Sequence, residues 1–359
     1  MSQLKGNYGF FDKVLHHSAF KMQKLQIKIA KYETEKNEVK QQNIAINKPV
    51  FITSLPRAGT SILLNILANS DHFSYQTYQD MPFAFLPLIW GKFSRKFEKN
   101  MVEVERAHQD GLQVNLNSPE AFEEIYYKAF WPQNYQESHI PIWEKAHNLA
   151  FNDFICDHIK KLLFRDKLMG NVHRTRYISK NNLNISRVSY ITQLFPSATI
   201  LIPFRQPLQQ AISLLIQHKN FTQQHKKDKF TQRYMADIGH FDFGQNLKPI
   251  NFDNWFYQCK SQPDTLNFWL EYWFHTYRYL ESNTAKPCIF FNFDTLCQSP
   301  EKSLSHLAQH LQLEPVKLLK SVPMIRKLKT HDIDLKPVNK SLIEKANKLH
   351  QQLVKRSIN

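Results

Sequence analysis

The chain has 359 residues, 42% of them hydrophobic, and 47 Lys+Arg against 31 Asp+Glu give a formal net charge of +16. Such a cationic surplus predicts an anionic partner, whether nucleotide, nucleic acid or anionic surface, without choosing among them. The four cysteines (Cys156, Cys259, Cys288, Cys297) have no CxxC or His-paired spacing, so neither a disulfide framework nor a metal site is suggested.

Charge and histidine stand in MSQLKGNYGFFDKVLHHSAF where a secretory leader needs an apolar core. No apolar run approaches the roughly 20 residues of a membrane span, so a soluble cytoplasmic protein is expected. Residues 10–45 read as a basic helical extension, with Lys21, Lys24, Lys28, Lys31 and Lys36 beside Leu25, Ile27 and Ile29. Such a helix either packs on the main domain with a solvated face or touches a membrane surface.

KPVFITS (48–54) is a buried-type strand that runs into a loop and a helix over 59–69. A helix over 183–195 precedes a second strand, SATILIPF (197–204), and a further helix over 207–220. KPCIFFNF (286–293) is a third strand, followed by helices from SPEKSLSHLAQHL onward. Apolar strands alternating with helices predict an α/β fold, a parallel sheet flanked by helices, in a single domain over 1–359. Its parts are the extension 1–47, a cofactor-binding core 48–220, helical insertions at 82–165 and 221–280 on the acceptor side, and the last strand with C-terminal helices at 286–359. The aromatic run at 252–280 reads as a buried helix or as a stacking surface.

The loop itself is SLPRAGTS, Ser54 to Ser61, on the eight positions of a GxxxxGK[ST] phosphate loop. Gly59 and Ser61 fall on the second glycine and the hydroxyl, whereas Thr60 stands where the lysine belongs. Backbone amides at the helix start still suit an anion, and Arg57 supplies a planar cation fitted to a tetrahedral oxyanion. The next strand ends in Arg205 rather than a magnesium-binding aspartate, with Ser213 eight residues later on the following helix. A P-loop kinase or other nucleotide phosphotransferase is the alternative; it would have only Asp294 as a metal carboxylate. A nucleic-acid binder would answer to the charge, but no zinc-finger, RNP-like or helix-turn-helix signature is present.

PRAGTS together with the Arg205–Ser213 spacing resembles the two cofactor motifs of sulfotransferases that use 3′-phosphoadenosine 5′-phosphosulfate (PAPS). The resemblance implies the P-loop-like sulfotransferase fold, covering roughly 48–70 and 176–220. By position it assigns Arg57, Ala58, Gly59, Thr60 and Ser61 to the 5′-phosphosulfate and Arg205 with Ser213 to the 3′-phosphate. YISKNNLNISRVSYITQLFPSATILIPFRQP matches a further family stretch and places Lys180 on the lysine that helps stabilise the transferring sulfonate. Asn182 occupies the position of the catalytic histidine of the phenol- and steroid-directed members, and their glycine-rich C-terminal segment has only IRKLKT (325–330) as an echo. The chain therefore resembles the PRSGT-type branch, which implies a hydroxyl-bearing acceptor on a carbohydrate, glycolipid or small metabolite, PAPS as co-substrate and no metal. In that branch an acidic base follows the first helix, and SYQTYQDMPF offers Asp80 alone. Asp80 also reads as the cap of a helix that opens at Met81-Pro82, and His108 is its rival as base.

Overall fold

The protein is described by a computed structural model over residues 10–37, 43–94, 104–105, 113–120, 122–144, 146–284, 287–332 and 334–359. Val50–Ile52 (β1) lies between two other strands, and β-branched and aromatic residues suit a strand covered on both faces. All three are buried, and their side chains alternate. Val50 and Ile52 join one core with Leu63 and Leu67, while Phe51 joins the other beside Tyr177 and Phe195. Around β1 stand Phe73–Ser74 (β2), Arg176–Lys180 (β3), Thr199–Phe204 (β4) and Cys288–Asn292 (β5). The sheet order is β2-β3-β1-β4-β5 and every pairing is parallel. This is the predicted α/β class.

Helices cover both faces, as a parallel sheet requires. On one face lie Thr60–Ala68 (α3) and Pro300–Leu311 (α11), through Leu64, Leu67, Leu304 and Leu307. The other face carries Leu149–Leu168 (α5), Val188–Leu194 (α6), Pro207–Lys227 (α7), Leu266–Asn283 (α9) and Lys340–Arg356 (α12). The remaining helices used below are Phe10–Lys21 (α1), Gln23–Lys36 (α2), Glu123–Phe130 (α4), Lys229–Asp237 (α8) and Phe293–Gln298 (α10). The basic extension is thus two helices. Buried Glu33 of α2 pairs with Lys161 of α5 at 2.9 Å, so α2 is docked on the body, while Lys21, Lys24, Lys28 and Lys31 stay exposed. Among the described residues, no helix is long and apolar enough to cross a membrane.

One helix expectation needs correcting. The helix expected over 183–195 divides into a 3-10 turn at Asn182–Ser186 and the shorter α6. The aromatic run is core along α9, where Trp269, Trp273 and Tyr277 are fully buried, while Tyr257 ahead of that helix is exposed. Register sets what meets at the C-terminal edge. Ile52 is level with Lys180 on one side and Leu201 on the other, and Phe204 is level with Asn292. The chain therefore leaves β1, β3, β4 and β5 side by side, delivering the loop after Ile52, Asn181–Asn182, Arg205 and Phe293 to one crevice.

Candidate active site

The loop after β1 is held rigidly from behind. Ser54 Oγ donates to the Pro203 carbonyl at 2.5 Å and shares a 2.6 Å hydrogen bond with the Tyr277 hydroxyl. Gln210 of α7 donates its Nε2 to the carbonyls of Pro56 (3.0 Å) and Leu55 (3.3 Å), and its Oε1 accepts from Trp273 Nε1 at 2.9 Å. The buried aromatic helix thereby fixes the carbonyls at the head of the loop. Two residues take left-handed backbone, Arg57 at φ 69° and Gly59 at φ 86°. Glycine is required at 59 on two counts. A Cβ there would lie 2.1 Å from the ring of Phe293, which seals the loop against α10. Gly59 then caps α3, whose N-terminal amides and dipole favour an anion.

Cationic groups converge on that helix start. Arg57 Nε donates to Ser213 Oγ at 3.0 Å, which joins the two sites that the motifs had kept separate. Arg205 is buried; it donates Nη2 to the Lys329 carbonyl at 2.9 Å and faces Asp294 at 3.5 Å. Burial lowers the Arg205 pKa, and Asp294 opposes that shift. Asp294 also accepts from the Gln206 amide at 2.7 Å, so the carboxylate that a magnesium site would need serves the arginine instead. The segment after 325 crosses this cluster, with Gln209 bonded both ways to the His331 backbone. Burial and then the charges of Arg205, Arg57 and Lys329 lower the His331 pKa. Four cationic or titratable groups thus lie within electrostatic range of one another, with Asp294 as a counter-charge, an arrangement suited to a ligand bearing several negative charges.

A third group stands across the crevice. Lys180 ends β3 level with Ile52. Its neighbour Asn181 donates to the Ile52 carbonyl through its backbone amide at 3.0 Å, and Thr53 Oγ1 donates to the Asn182 carbonyl at 3.2 Å. The Asn182 side chain spans two partners. Its Oδ1 accepts from Thr60 Oγ1 at 3.4 Å, and its Nδ2 donates to Asp242 Oδ2 at 3.0 Å. The charges of Asp242, Lys180 and Glu120 all act on His240, whose pKa is lowered chiefly by burial.

Arg57, Ala58, Gly59, Thr60 and Ser61 form the loop and helix start; Lys180, Arg205 and Ser213 border the same crevice. Asp80 is committed elsewhere. One carboxylate oxygen pairs with Arg165 at 2.5 Å and the other closes a capping box with Thr77 at the 3-10 turn Tyr78–Asp80. Asp80 thus closes the turn that ends at it, with Thr77 as the cap, rather than capping a helix that opens at Met81-Pro82. His108 lies outside the described residues. Gln210, Tyr277, His331 and Asp242 were not candidates. Asp242 had one usable signal: in a chain with eight glycines, two of them, Gly239 and Gly244, flank HisPheAspPhe.

The model of the sulfotransferase family matches residues 49–242. No curated protein matches the chain. Among solved structures, it is similar to a sulfotransferase from Mycobacterium tuberculosis, at 12% identity and TM-score 0.43, covering 92% of this chain and 83% of that one. A sulfotransferase from Mycobacterium avium gives 10% identity and TM-score 0.49 over 94% and 81% of the two chains. One from Alicyclobacillus acidocaldarius gives 12% and 0.40 over 87% and 94%.

Proposed function

The chain belongs to the sulfotransferase family, and from that premise we propose that it moves a sulfonate group from PAPS to an acceptor hydroxyl by in-line transfer. The observation that carries the choice of donor is the convergence of Arg57, Ser213, Arg205 and His331 on the N-terminus of α3. PAPS carries two separated anionic ends. Arg57 and the amides of Ala58, Gly59, Thr60 and Ser61 would hold the 5′-phosphosulfate, and Arg205 with Ser213 the 3′-phosphate. Bound there, PAPS supplies an activated sulfonate and a stable phosphate leaving group.

Arg57 lies in the loop after β1 and Lys180 ends the neighbouring strand β3, so they are suited to neutralising charge on the sulfonate oxygens and the departing phosphate. Cations fixed before the reaction need no reorganisation during it, which is where most of such catalysis arises. They fill the part that a metal ion plays in phosphoryl transfer. The resemblance to the PRSGT branch supports a carbohydrate or glycolipid acceptor. The exposed Lys21, Lys24, Lys28 and Lys31, with exposed Met22 and Leu25 beside them, support a peripheral contact with an anionic membrane.

Calorimetric titration with 3′-phosphoadenosine 5′-phosphate in EDTA tests the proposal. Micromolar or tighter binding that weakens with salt is expected. Equal affinity for adenosine 5′-phosphate would remove Arg205 and Ser213 from the site, and EDTA-sensitive ATP hydrolysis would restore the kinase alternative.

A further inference from the structure

A hydroxyl attacking sulfur must lose its proton, and Asn182 has no basic lone pair with which to take it. The crevice holds a carboxylate that Asn182 positions. We infer that Asp242 accepts the proton of the acceptor hydroxyl, with Asn182 fixing it relative to Thr60 of the loop; this rests on the sulfonate-transfer reading above.

Four observations support the inference. The first is the chain of contacts itself. Thr60 Oγ1, Asn182 Oδ1, Asn182 Nδ2 and Asp242 Oδ2 are linked at 3.4 and 3.0 Å, so the carboxylate stands one amide side chain away from the first residue of α3. An asparagine amide presents a donor and an acceptor on opposite sides, and here each is used in one direction only. The second is that the Asp242 segment is built to hold a position. Gly239 has φ 81°, and a Cβ there would fall 2.3 Å from the Glu124 side chain. Gly244 has φ 68°, and its amide donates to His218 Nδ1 at 3.1 Å, while the Gln245 amide donates to His225 Nδ1 at 3.1 Å. Phe241 and Phe243 on either side of Asp242 are buried, and Phe243 stacks on Phe221 of α7.

The third is accessibility. Asp242 is half-buried, whereas Glu123 and Glu124 are fully enclosed and satisfied by Tyr177, Asn184, Asn181 and Arg187. The fourth is charge. Asp242 shares its surroundings with Lys180 and His240, so a proton gained at Asp242 arises next to the cation proposed to stabilise the leaving group. Glu120 is the other carboxylate acting on this pocket, and its Oε2 is engaged by the Tyr78 hydroxyl.

The step balances. The acceptor O–H bond breaks and its proton passes to an Asp242 carboxylate oxygen. The acceptor oxygen forms its bond to sulfur as the sulfur–oxygen bond to the 5′-phosphate breaks, and that electron pair leaves on 3′-phosphoadenosine 5′-phosphate. Nothing is oxidised or reduced.

The test uses the full chain with PAPS and water or glycerol as acceptor, beside calorimetric titration with 3′-phosphoadenosine 5′-phosphate. Asp242→Asn keeps shape and removes basicity. It should bind the nucleotide as tightly as the wild type or up to several-fold tighter, because a negative charge beside the anion site is lost. PAPS turnover should fall by roughly 10²–10⁴-fold, the span of a lost general base. The acidic limb of the wild-type pH–rate profile should vanish, and Asp242→Glu should restore part of the rate and the limb. Weakened nucleotide binding with an unchanged pH profile would make Asp242 structural and overturn the inference. So would wild-type turnover in Asp242→Asn, or the whole loss appearing in Glu120→Gln instead. A wild type that binds the nucleotide but never turns over PAPS overturns it as well, since a poised carboxylate would activate water. Failure of the wild type to bind the nucleotide would instead overturn the sulfonate-transfer reading.

Discussion

Arg57 combines a functional side chain with a backbone angle that side chains disfavour, and the two can be separated by substitution. At φ 69° a residue with a Cβ carries about 1–2 kcal/mol of steric cost, which glycine escapes. Glycine gives back about 0.5–1 kcal/mol through the greater freedom of its unfolded chain. Arg57→Ala and Arg57→Gly both lose the guanidinium and its 3.0 Å bond to Ser213, so those terms cancel between them. Arg57→Gly should therefore be the more stable variant by about 0.5–1 kcal/mol. For 359 residues that is a small thermal shift, so urea unfolding is the better assay. Both variants should lose affinity for 3′-phosphoadenosine 5′-phosphate equally, by about 1.5–3 kcal/mol, or roughly 10- to 150-fold. Arg57→Ala proving as stable as Arg57→Gly would refute the left-handed loop. Wild-type affinity in both would refute the anion role.

Gly59→Ala should cost about 2–4 kcal/mol in denaturant unfolding, from its φ of 86° and the collision with Phe293. Adding Phe293→Ala should recover part of that, and strict additivity of the pair would deny the contact. Arg205→Ala should weaken nucleotide binding by about 1.5–3 kcal/mol, whereas Lys180→Ala should reduce turnover more than binding; equal, pure binding defects in calorimetry and kinetics would merge the two roles. His218 accepts the Gly244 amide, and burial pushes its pKa down to about 4 from 6.5. The folded state thus takes up its proton later than the unfolded state, so stability should be full above pH 6.5 and fall as pH drops from 6.5 toward 4. His218→Gln should flatten that slope, and an unchanged slope in pH-dependent unfolding would place its origin elsewhere.

The central strands β1 and β4 and the last strand β5 were legible because each is an apolar run bounded by loop residues. β3 was not, though it pairs with β1 at the middle of the sheet. Its five residues, ArgTyrIleSerLys, contain only Tyr177 and Ile178 as apolar side chains, and the strand owes its place to register with Val50–Ile52 rather than to hydrophobicity. β2 has two residues and no periodicity to read. Motif spacing found the cofactor residues because the donor site is made locally, by a strand end and the helix after it. The groups that position the loop come from far along the chain. Gln210 lies 154 residues from Pro56 and Tyr277 lies 223 residues from Ser54, and neither residue type carries a signature.

Asp80 and Asp242 illustrate why carboxylate roles escape a linear reading. Neither sits in a motif that sequence spacing would single out. What separates them is the partner each meets after folding. Arg165 and the Thr77 amide saturate Asp80 with a cation and a cap, and that commitment stabilises the turn where it sits. Asp242 meets a neutral amide instead, which orients the carboxylate without neutralising its charge. Replacing a catalytic histidine by asparagine then need not abolish proton transfer. It moves the basic atom outward by the length of one amide and leaves the nearer position to a hydrogen-bonding strut. Asn182→Ala should in consequence leave nucleotide binding nearly intact and lower turnover less than Asp242→Asn does, because the strut is removed while the base remains. Turnover in Asn182→Ala below that of Asp242→Asn, measured on the same PAPS assay, would refute this order of roles.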